Sequence, residues 1–275
     1  MTVDRALASR ILRRDLGRDY EVTEVLGNAV VAFGSGGPVV LKHRQPSAAL
    51  VRLAELGVTP PVLASGELEG VPYTVQRMIT GEEPDRAWFA RHVPDLADLI
   101  CRYQRDPALA AILREDRSRE HLTVSVAAMM FDDMPPREGS PFWTEEMLVA
   151  RAEWRRQADR FPELAPVPVH ADPMWGNYVV DGDRMYLLDW DEIDLSDPWR
   201  DLGVQLHWHV PADRWPDFLA RCGARLDDEL LARIHWWMAF KELRSGFWVD
   251  ARGQDHYAML CARGFLNTMA GRCPG

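Results

Sequence analysis

Between His170 and Asp201 the chain reads HADPMWGN, then a short hairpin, then LLDWDEIDLSDPWRDL. His170, Asp172 and Asn177 fall on one loop, and Asp189 follows Asn177 by twelve residues at the end of an apolar run. A carboxylate five residues ahead of an amide, with a second carboxylate after a hairpin, is a set suited to phosphoryl transfer from a nucleotide. One carboxylate can orient an attacking hydroxyl. The amide oxygen and the second carboxylate can hold a cation on the phosphates, and oxygen donors select magnesium or manganese over zinc.

Neighbouring residues place that set. Residues 167–169 (Val-Pro-Val) read as a short extended segment, and Pro173 and Gly176 keep the loop irregular. Residues 178–180 and 185–188 are apolar runs joined by Asp181-Gly182-Asp183-Arg184. An Asp-Gly pair between apolar runs signals a hairpin. Such a hairpin would carry Asn177 and Asp189 on adjacent strand ends, close enough to share one cation.

The stretch resembles the aminoglycoside phosphotransferase and choline kinase-like family, a branch of the protein-kinase-like fold. The matching residues are His170-Ala171-Asp172 through Asn177, Asp189-Trp190-Asp191, and Ser196-Asp197-Pro198 through Asp201-Leu202, about thirty contiguous residues at fixed spacing. The resemblance implies an α+β, two-lobed fold with a small antiparallel-sheet lobe and a larger helical lobe. It implies ATP as donor with Mg2+, Asp172 as the catalytic carboxylate, and Asn177 and Asp189 as metal ligands. His170, Asp197 and Asp201 become supports, with His170 bracing the loop and Asp197-Pro198 starting a helix. Residues 71–79 followed by Gly81 resemble the family's strand and linker, where adenine lies against backbone near Gln76, Arg77, Met78 and Ile79.

The N-terminal part must then hold the nucleotide. Residues 22–26, 29–33 and 38–41 read as three short strands, with Lys42 ending the third. The chain has 30 arginines and only two lysines, Lys42 and Lys241. A lysine retained at this position suits contact with the α and β phosphates. Kinase-like enzymes pair that lysine with a Glu on the next helix. Here the expected helix, residues 47–56, holds no acid before Glu55, and the turn Gly27-Asn28-Ala29 is poor in glycine for a phosphate-covering loop.

Helical spacing at Leu7, Ile11, Leu12 and Leu16 predicts an amphipathic N-terminal helix, and helical patterns recur at 86–104, 106–116, 144–160 and 213–270. Residues 132–141, with three prolines and a glycine, read as a surface excursion. These patterns predict a nucleotide-binding lobe over 1–80 and a catalytic, substrate-binding lobe over 81–275, with ligands between them. No apolar run is long enough to span a bilayer, and residues 1–20 lack the uninterrupted apolar stretch of a signal peptide. Cys101, Cys222, Cys261 and Cys273 form no C-x-x-C pair, which fits reduced thiols and a cytoplasmic location.

Charge and aromatics bear on the acceptor. Residues 1–80 carry nine basic and eight acidic side chains, and residues 81–275 carry 23 and 34. An acidic second part argues against nucleic acid and favours a small cationic substrate, with Asp191, Asp194 and Glu242 as candidate contacts. Eleven tryptophans, among them Trp175, Trp190, Trp199, Trp208 and Trp248, could wall a pocket for an aminated ring or a quaternary ammonium. Trp236 and Trp237 should not both face inward on one helix, and His207 and His209, two apart on a helix, make a poor metal pair. The expected function is an ATP-dependent kinase for an aminoglycoside-like hydroxyl. The alternatives are a kinase for choline, ethanolamine or a sugar, and a nucleotide-binding pseudokinase.

Overall fold

The computed structural model describes residues 3–43, 47–116, 121–134 and 136–272. In chain order its elements are α1 (Arg5–Leu16), β1 (Tyr20–Leu26), β2 (Ala29–Gly34), β3 (Val39–His43), α2 (Ser47–Glu55), β4 (Val62–Leu68) and β5 (Val71–Arg77). Then come α3 (Arg86–Arg91), α4 (Val93–Gln104), α5 (Pro107–Glu115), α6 (Val124–Met129), α7 (Glu145–Gln157), β6 (Val167–Val169), β7 (Tyr178–Asp181) and β8 (Arg184–Leu187). The remainder is β9 (Asp194–Ser196), α8 (Trp199–Trp208), α9 (Trp215–Arg221), α10 (Asp228–Asp250) and α11 (Asp255–Met269). These elements form two compact units: Met1–Asp85, Arg105–Ser118 and Trp175–Ile193 make the first, and Arg86–Gln104, Arg119–Met174 and Asp194–Gly275 the second. The chain therefore crosses between units several times, and both α5 and the β7–β8 hairpin belong with the N-terminal sheet.

The first unit is built on an antiparallel sheet of order β1-β2-β3-β5-β4. Helix α1 starts at Asp4, whose carboxylate accepts from the Leu7 N–H at 2.8 Å, and ends at Gly17 in left-handed conformation. Its spacing delivers Leu7, Ile11 and Leu12 into one core with Val30, Ala32, Val39, Leu41 and Val75. Each such side chain contributes about 1.5–3 kcal/mol on burial, so this stripe outweighs the cap in holding the helix down. Alternation along β3 buries Val39, Leu41 and His43 and puts Val40 and Lys42 on the opposite face. The strand runs one residue past Lys42, where the sequence expectation stopped it.

Strand β4 has no apolar alternation to announce it; Ser65, Gly66 and Glu67 lie at its centre, and it exists because it pairs with β5 at the sheet edge. Beyond β5 the chain passes Gly81, where a Cβ would lie 2.1 Å from the Val180 carbonyl oxygen. Glu82 and Val180 exchange backbone hydrogen bonds of 2.9 Å in both directions. This close approach fastens the β7–β8 hairpin to the linker.

The second unit is helical around α10. Trp236 and Trp237 are both buried, contrary to the expectation that one would face outward, because α10 is packed on several sides by α7, α8 and α11. Trp154 and Trp236 stack at 4.7 Å, and each indole N–H donates to the other's backbone carbonyl. Trp248 is 57% exposed and stacks with Arg252. Of the 132–141 segment, Pro135 lies outside the described residues. Its later part is pinned: buried Asp250 accepts from Arg137, Ser140 and the Trp143 indole. No described helix is long and apolar enough to cross a membrane. Cys101, Cys222 and Cys261 are free thiols, and Cys273 lies outside the described residues.

Candidate active site

In the second unit, β6 leads into the loop that carries His170 and Asp172. The strand is held by antiparallel pairing with β9, which the sequence analysis did not identify. At the loop start Ala171 adopts φ 72°, a left-handed conformation that costs a non-glycine residue about 1–2 kcal/mol. Asp201 holds it there. Its fully buried carboxylate accepts from the His170 N–H at 2.6 Å, the Ala171 N–H at 2.9 Å and the Tyr103 hydroxyl at 2.7 Å.

One turn further along α8, the Gln205 amide donates to the Pro173 carbonyl at 3.1 Å. Asp201 and Gln205, spaced i and i+4, thus present one helix face to the loop. The Asp172 N–H donates to His170 Nδ1 at 3.2 Å, so His170 carries its proton on Nε2 and braces the loop. A three-residue turn, Met174 N–H to Asp172 O at 2.8 Å, closes the loop.

Asp172 keeps 39% of its side chain exposed and is ion-paired to Lys241 of α10. Asp197 is buried and accepts from the Trp199 N–H at 2.9 Å, which secures the start of α8. It also forms a buried ion pair with Arg233, whose guanidinium donates to the Pro162 carbonyl as well.

In the first unit, β7 and β8 pair from Tyr178–Leu187 to Asp181–Arg184, and the Leu188 N–H donates to the Asn177 carbonyl at 2.7 Å. That bond extends the hairpin by one pair and sets Asn177 beside the residue preceding Asp189. Asp189 itself has φ 58° and ψ 58°, a second left-handed non-glycine residue. Lys42 Nζ lies 2.5 Å from Asp189 Oδ1 and 3.7 Å from Asp191 Oδ1. Asn28, in the β1–β2 turn, donates its amide to Asp191, and its carbonyl accepts from the His43 N–H at 3.0 Å. Burial pushes the Asp191 carboxyl above its usual range; Lys42 pulls it down, Asp189 pushes it further up, and Asn28 pulls it down.

Several expected roles find different geometry. The acidic partner of Lys42, left open by the sequence, is Asp189 in the structure, and Glu55 pairs with Arg52 of its own helix at 2.9 Å. Arg52 also binds Asp106, the N-cap of α5, and so ties α2 to α5. Asp191, expected to meet substrate, sits with Lys42, Asp189 and Asn28.

Asp194 accepts from His121 Nδ1 at 3.2 Å, from the Leu122 N–H at 3.3 Å and from its neighbour's N–H, so it tethers the chain before α6 to β9. Glu242 lies against Gly264 of α11 and 3.8 Å from His207 Nε2. In the linker, the Gln76 amide turns inward to Thr59 and Pro60, while the Arg77 and Met78 N–H groups donate to Pro61 and Pro38 carbonyls. Those two backbone donors are bonded inside the unit.

Asn28, Tyr103, Gln205, Arg233 and Lys241 were not assigned site roles from sequence. The signal for Lys241 was the same rarity of lysine that singled out Lys42. Gln205 could have been read from its i+4 spacing to Asp201 on the same helix. Among the described residues no group of three or more His, Cys, Asp or Glu forms a metal cage. Asn177, Asp189 and Asp191 offer oxygen donors, the type that could hold a hard cation.

Comparison with known proteins bears on the fold and the family. The model of the phosphotransferase enzyme family matches residues 16–237. The GDP and kanamycin complex of APH(2")-IIia is similar in fold, with a TM-score of 0.70 at 12% identity over 96% of this chain and 98% of that one. Choline kinase LicA from Streptococcus pneumoniae gives 0.67 at 13% identity over 97% and 98%. Macrolide 2'-phosphotransferase MphH from Brachybacterium faecium gives 0.65 at 17% identity over 94% and 97%. With the family model covering most of its length, the chain belongs to the phosphotransferase enzyme family, and it has that family's kinase-like fold.

Proposed function

We propose that this phosphotransferase moves the γ-phosphoryl group of ATP to a hydroxyl of a small, amine-bearing molecule. The observation that carries the reading is the ion pairing of the only two lysines: Lys42 with Asp189, and Lys241 with Asp172. Phosphoryl transfer is governed by positioning and charge neutralisation, so cations beside both carboxylates suit it. Asp172 accepts a hydrogen bond from the acceptor hydroxyl and takes its proton late. Asn177 and Asp189, with Asp191 near Asp189, would hold magnesium, which would supply neutralisation of charge on the phosphates. Lys42 serves the α and β phosphates, and Asn28 sets the β1–β2 turn over them.

Nucleotide binding is supported by the relatives solved with GDP, ADP and AMP. A cationic acceptor is supported by the chain's net charge of −10 and by relatives whose descriptions name kanamycin, spectinomycin and choline. The geometry shifts the weight of that reading from Asp194 to the general field, because Asp194 is engaged within the scaffold. Nucleotide consumption with MgATP and with MgGTP, against a panel of aminoglycosides, amino alcohols and neutral sugars, tests the proposal at two salt concentrations. A cationic acceptor should show a KM that rises with ionic strength while kcat holds, since screening acts over about 8–10 Å. An efficient neutral or anionic acceptor with a salt-independent KM would overturn the cationic reading and leave the transfer chemistry standing.

A further inference from the structure

On the face of α10 turned away from Lys241, the second unit holds a cleft of about 210 Å3. Ala232 lines this cleft, and Lys241 pairs with Asp172. The two residues are nine positions apart on α10, which at about 100° per residue sets them on opposite sides of the helix. The cleft is therefore separate from the catalytic loop. Its walls are largely aromatic and apolar. Phe161 and Trp236 meet edge to face at 6.2 Å and 64°, and Ala232, His235 and Met269 continue the lining. Trp236 is fixed by stacking on Trp154 and by its indole N–H bond to the Trp154 carbonyl. The Arg233 guanidinium, itself paired to Asp197, lies 5.6 Å over the Phe161 ring.

One formal charge lines the cleft, and it is positive: Arg160, in the single turn Ala158–Arg160 that follows α7. Residues 81–275 carry 34 acidic side chains against 23 basic, yet no Asp or Glu is among the lining residues. The arginines that precede it are committed elsewhere. Arg151 donates to the Phe131 carbonyl, Arg155 pairs with Asp132, and Arg156 pairs with Glu153. Arg160 has no such partner among the described residues. Burial, and then the nearby His207, hold the His235 pKa below the usual histidine value, so His235 adds no charge near neutrality.

We propose that this cleft is a binding site for a small aromatic carboxylate, with the ring against Phe161 and Trp236 and the carboxylate on Arg160. Volume sets the size of the ligand. A cavity of roughly 150 Å3 already accepts benzene, so a single ring bearing one carboxylate fits. Drug-sized ligands occupy clefts of about 300 Å3 or more, so a nucleotide or an aminated sugar does not. Chemistry sets its class. Aromatic walls favour an aromatic body through offset and edge-to-face contacts. The guanidinium fork of Arg160 matches the two oxygens of a carboxylate.

Benzoate is the probe, with benzamide as its uncharged isostere and acetate as a carboxylate without a ring. In protein carrying 13C-methyl methionine, benzoate should move the Met269 signal saturably, with that signal assigned by Met269→Leu. The signal of Met174, in the catalytic loop, should stay in place. Benzamide and acetate should each bind about tenfold more weakly or worse, because each lacks one half of the match. Arg160→Gln should weaken benzoate about tenfold and leave benzamide unchanged. Ala232→Phe, which adds a ring at an exposed lining position, should abolish binding of both. Saturating MgATP should leave the benzoate affinity within twofold.

A Met269 signal unmoved by benzoate at about 10 mM would overturn the proposal. So would an Arg160→Gln protein that binds benzoate within twofold of wild type, or displacement of benzoate by MgATP. Acetate binding as tightly as benzoate would reduce the site to a surface arginine and overturn it as well. If Ala232→Phe does not fold, Arg160→Gln, at an exposed position, decides with the three probes.

Discussion

Asp201→Asn should uncouple the catalytic loop from its support. The native carboxylate accepts three hydrogen bonds at 2.6, 2.9 and 2.7 Å from two backbone N–H groups and a hydroxyl, with no solvent exposure. An asparagine offers one oxygen. In its better orientation the oxygen keeps the His170 N–H and the Tyr103 hydroxyl, and the amide nitrogen then faces the Ala171 N–H, donor to donor. One orphaned buried N–H costs about 1–3 kcal/mol, and the two remaining bonds each lose about 0.5–1.5 kcal/mol with the charge, for a total of about 4 kcal/mol. At about 2–4 °C per kcal/mol for a chain of this size, melting should drop by roughly 10 °C.

Catalysis should suffer separately. With the clamp weakened, Ala171 can leave its left-handed conformation, and a displacement of about 1 Å at Asp172 is worth about a hundredfold in kcat. Nucleotide affinity should hold, because the residues assigned to it belong to the other unit. Thermal unfolding, nucleotide titration and turnover on one acceptor check all three effects. Tyr103→Phe, which removes only one of the three donors, should cost about 1 kcal/mol. A melting shift under 2 °C together with kcat within twofold of wild type for Asp201→Asn would show that the carboxylate does not hold the loop.

Three further outcomes follow from the geometry. Asp189→Ala and Asn177→Ala should both weaken magnesium-dependent nucleotide binding by calorimetry, Asp189 more strongly because it brings formal charge; equal affinity in all three proteins at every magnesium concentration would exclude a shared site. Gly81→Ala should destabilise the first unit, since its Cβ would stand 2.1 Å from the Val180 carbonyl oxygen, and hydrogen exchange should show β7 losing protection while α1 retains it.

Burial holds the His209 pKa down to about 3. The unfolded chain therefore takes up a proton below about pH 6.5 that the folded protein refuses, and stability declines as pH falls from about 6.5 toward 3. Near pH 5 this one group accounts for about 2 kcal/mol, so His209→Phe should lose part of the melting decrease seen between pH 7 and pH 5. An unchanged decrease would place the acid sensitivity elsewhere.

Much of this was legible in sequence where local signals and tertiary demands agree. The α1 stripe, the β7–β8 hairpin and the start of α8 follow from periodicity, an Asp-Gly turn and the Asp197-Pro198 pair. Asp201 and His170 could be read as supports because motif spacing placed them beside the loop. What could not be read were pairings across long sequence separations. Strand β4 is polar along its centre and is defined only by β5. Lys42 finds Asp189 after 147 residues and Lys241 finds Asp172 across 69, and no local pattern encodes either. Asp194, an acid near the motif read as a candidate substrate contact, has oxygens that accept from His121 and Leu122, another pairing no local pattern encodes. The two tryptophans on α10 were misjudged because a helix packed on several sides has no outward face to spare.

The central claim is that Asp172 directs a hydroxyl toward a nucleotide γ-phosphate. The direct measurement is mass-resolved formation of a phosphorylated acceptor by wild type and by Asp172→Asn, at matched nucleotide occupancy and with magnesium present. The account predicts a phosphorylated product with wild type, and with Asp172→Asn a loss of about a hundredfold or more in kcat with nucleotide affinity retained. An Asp172→Asn protein that phosphorylates the same acceptor at near wild-type kcat would contradict it.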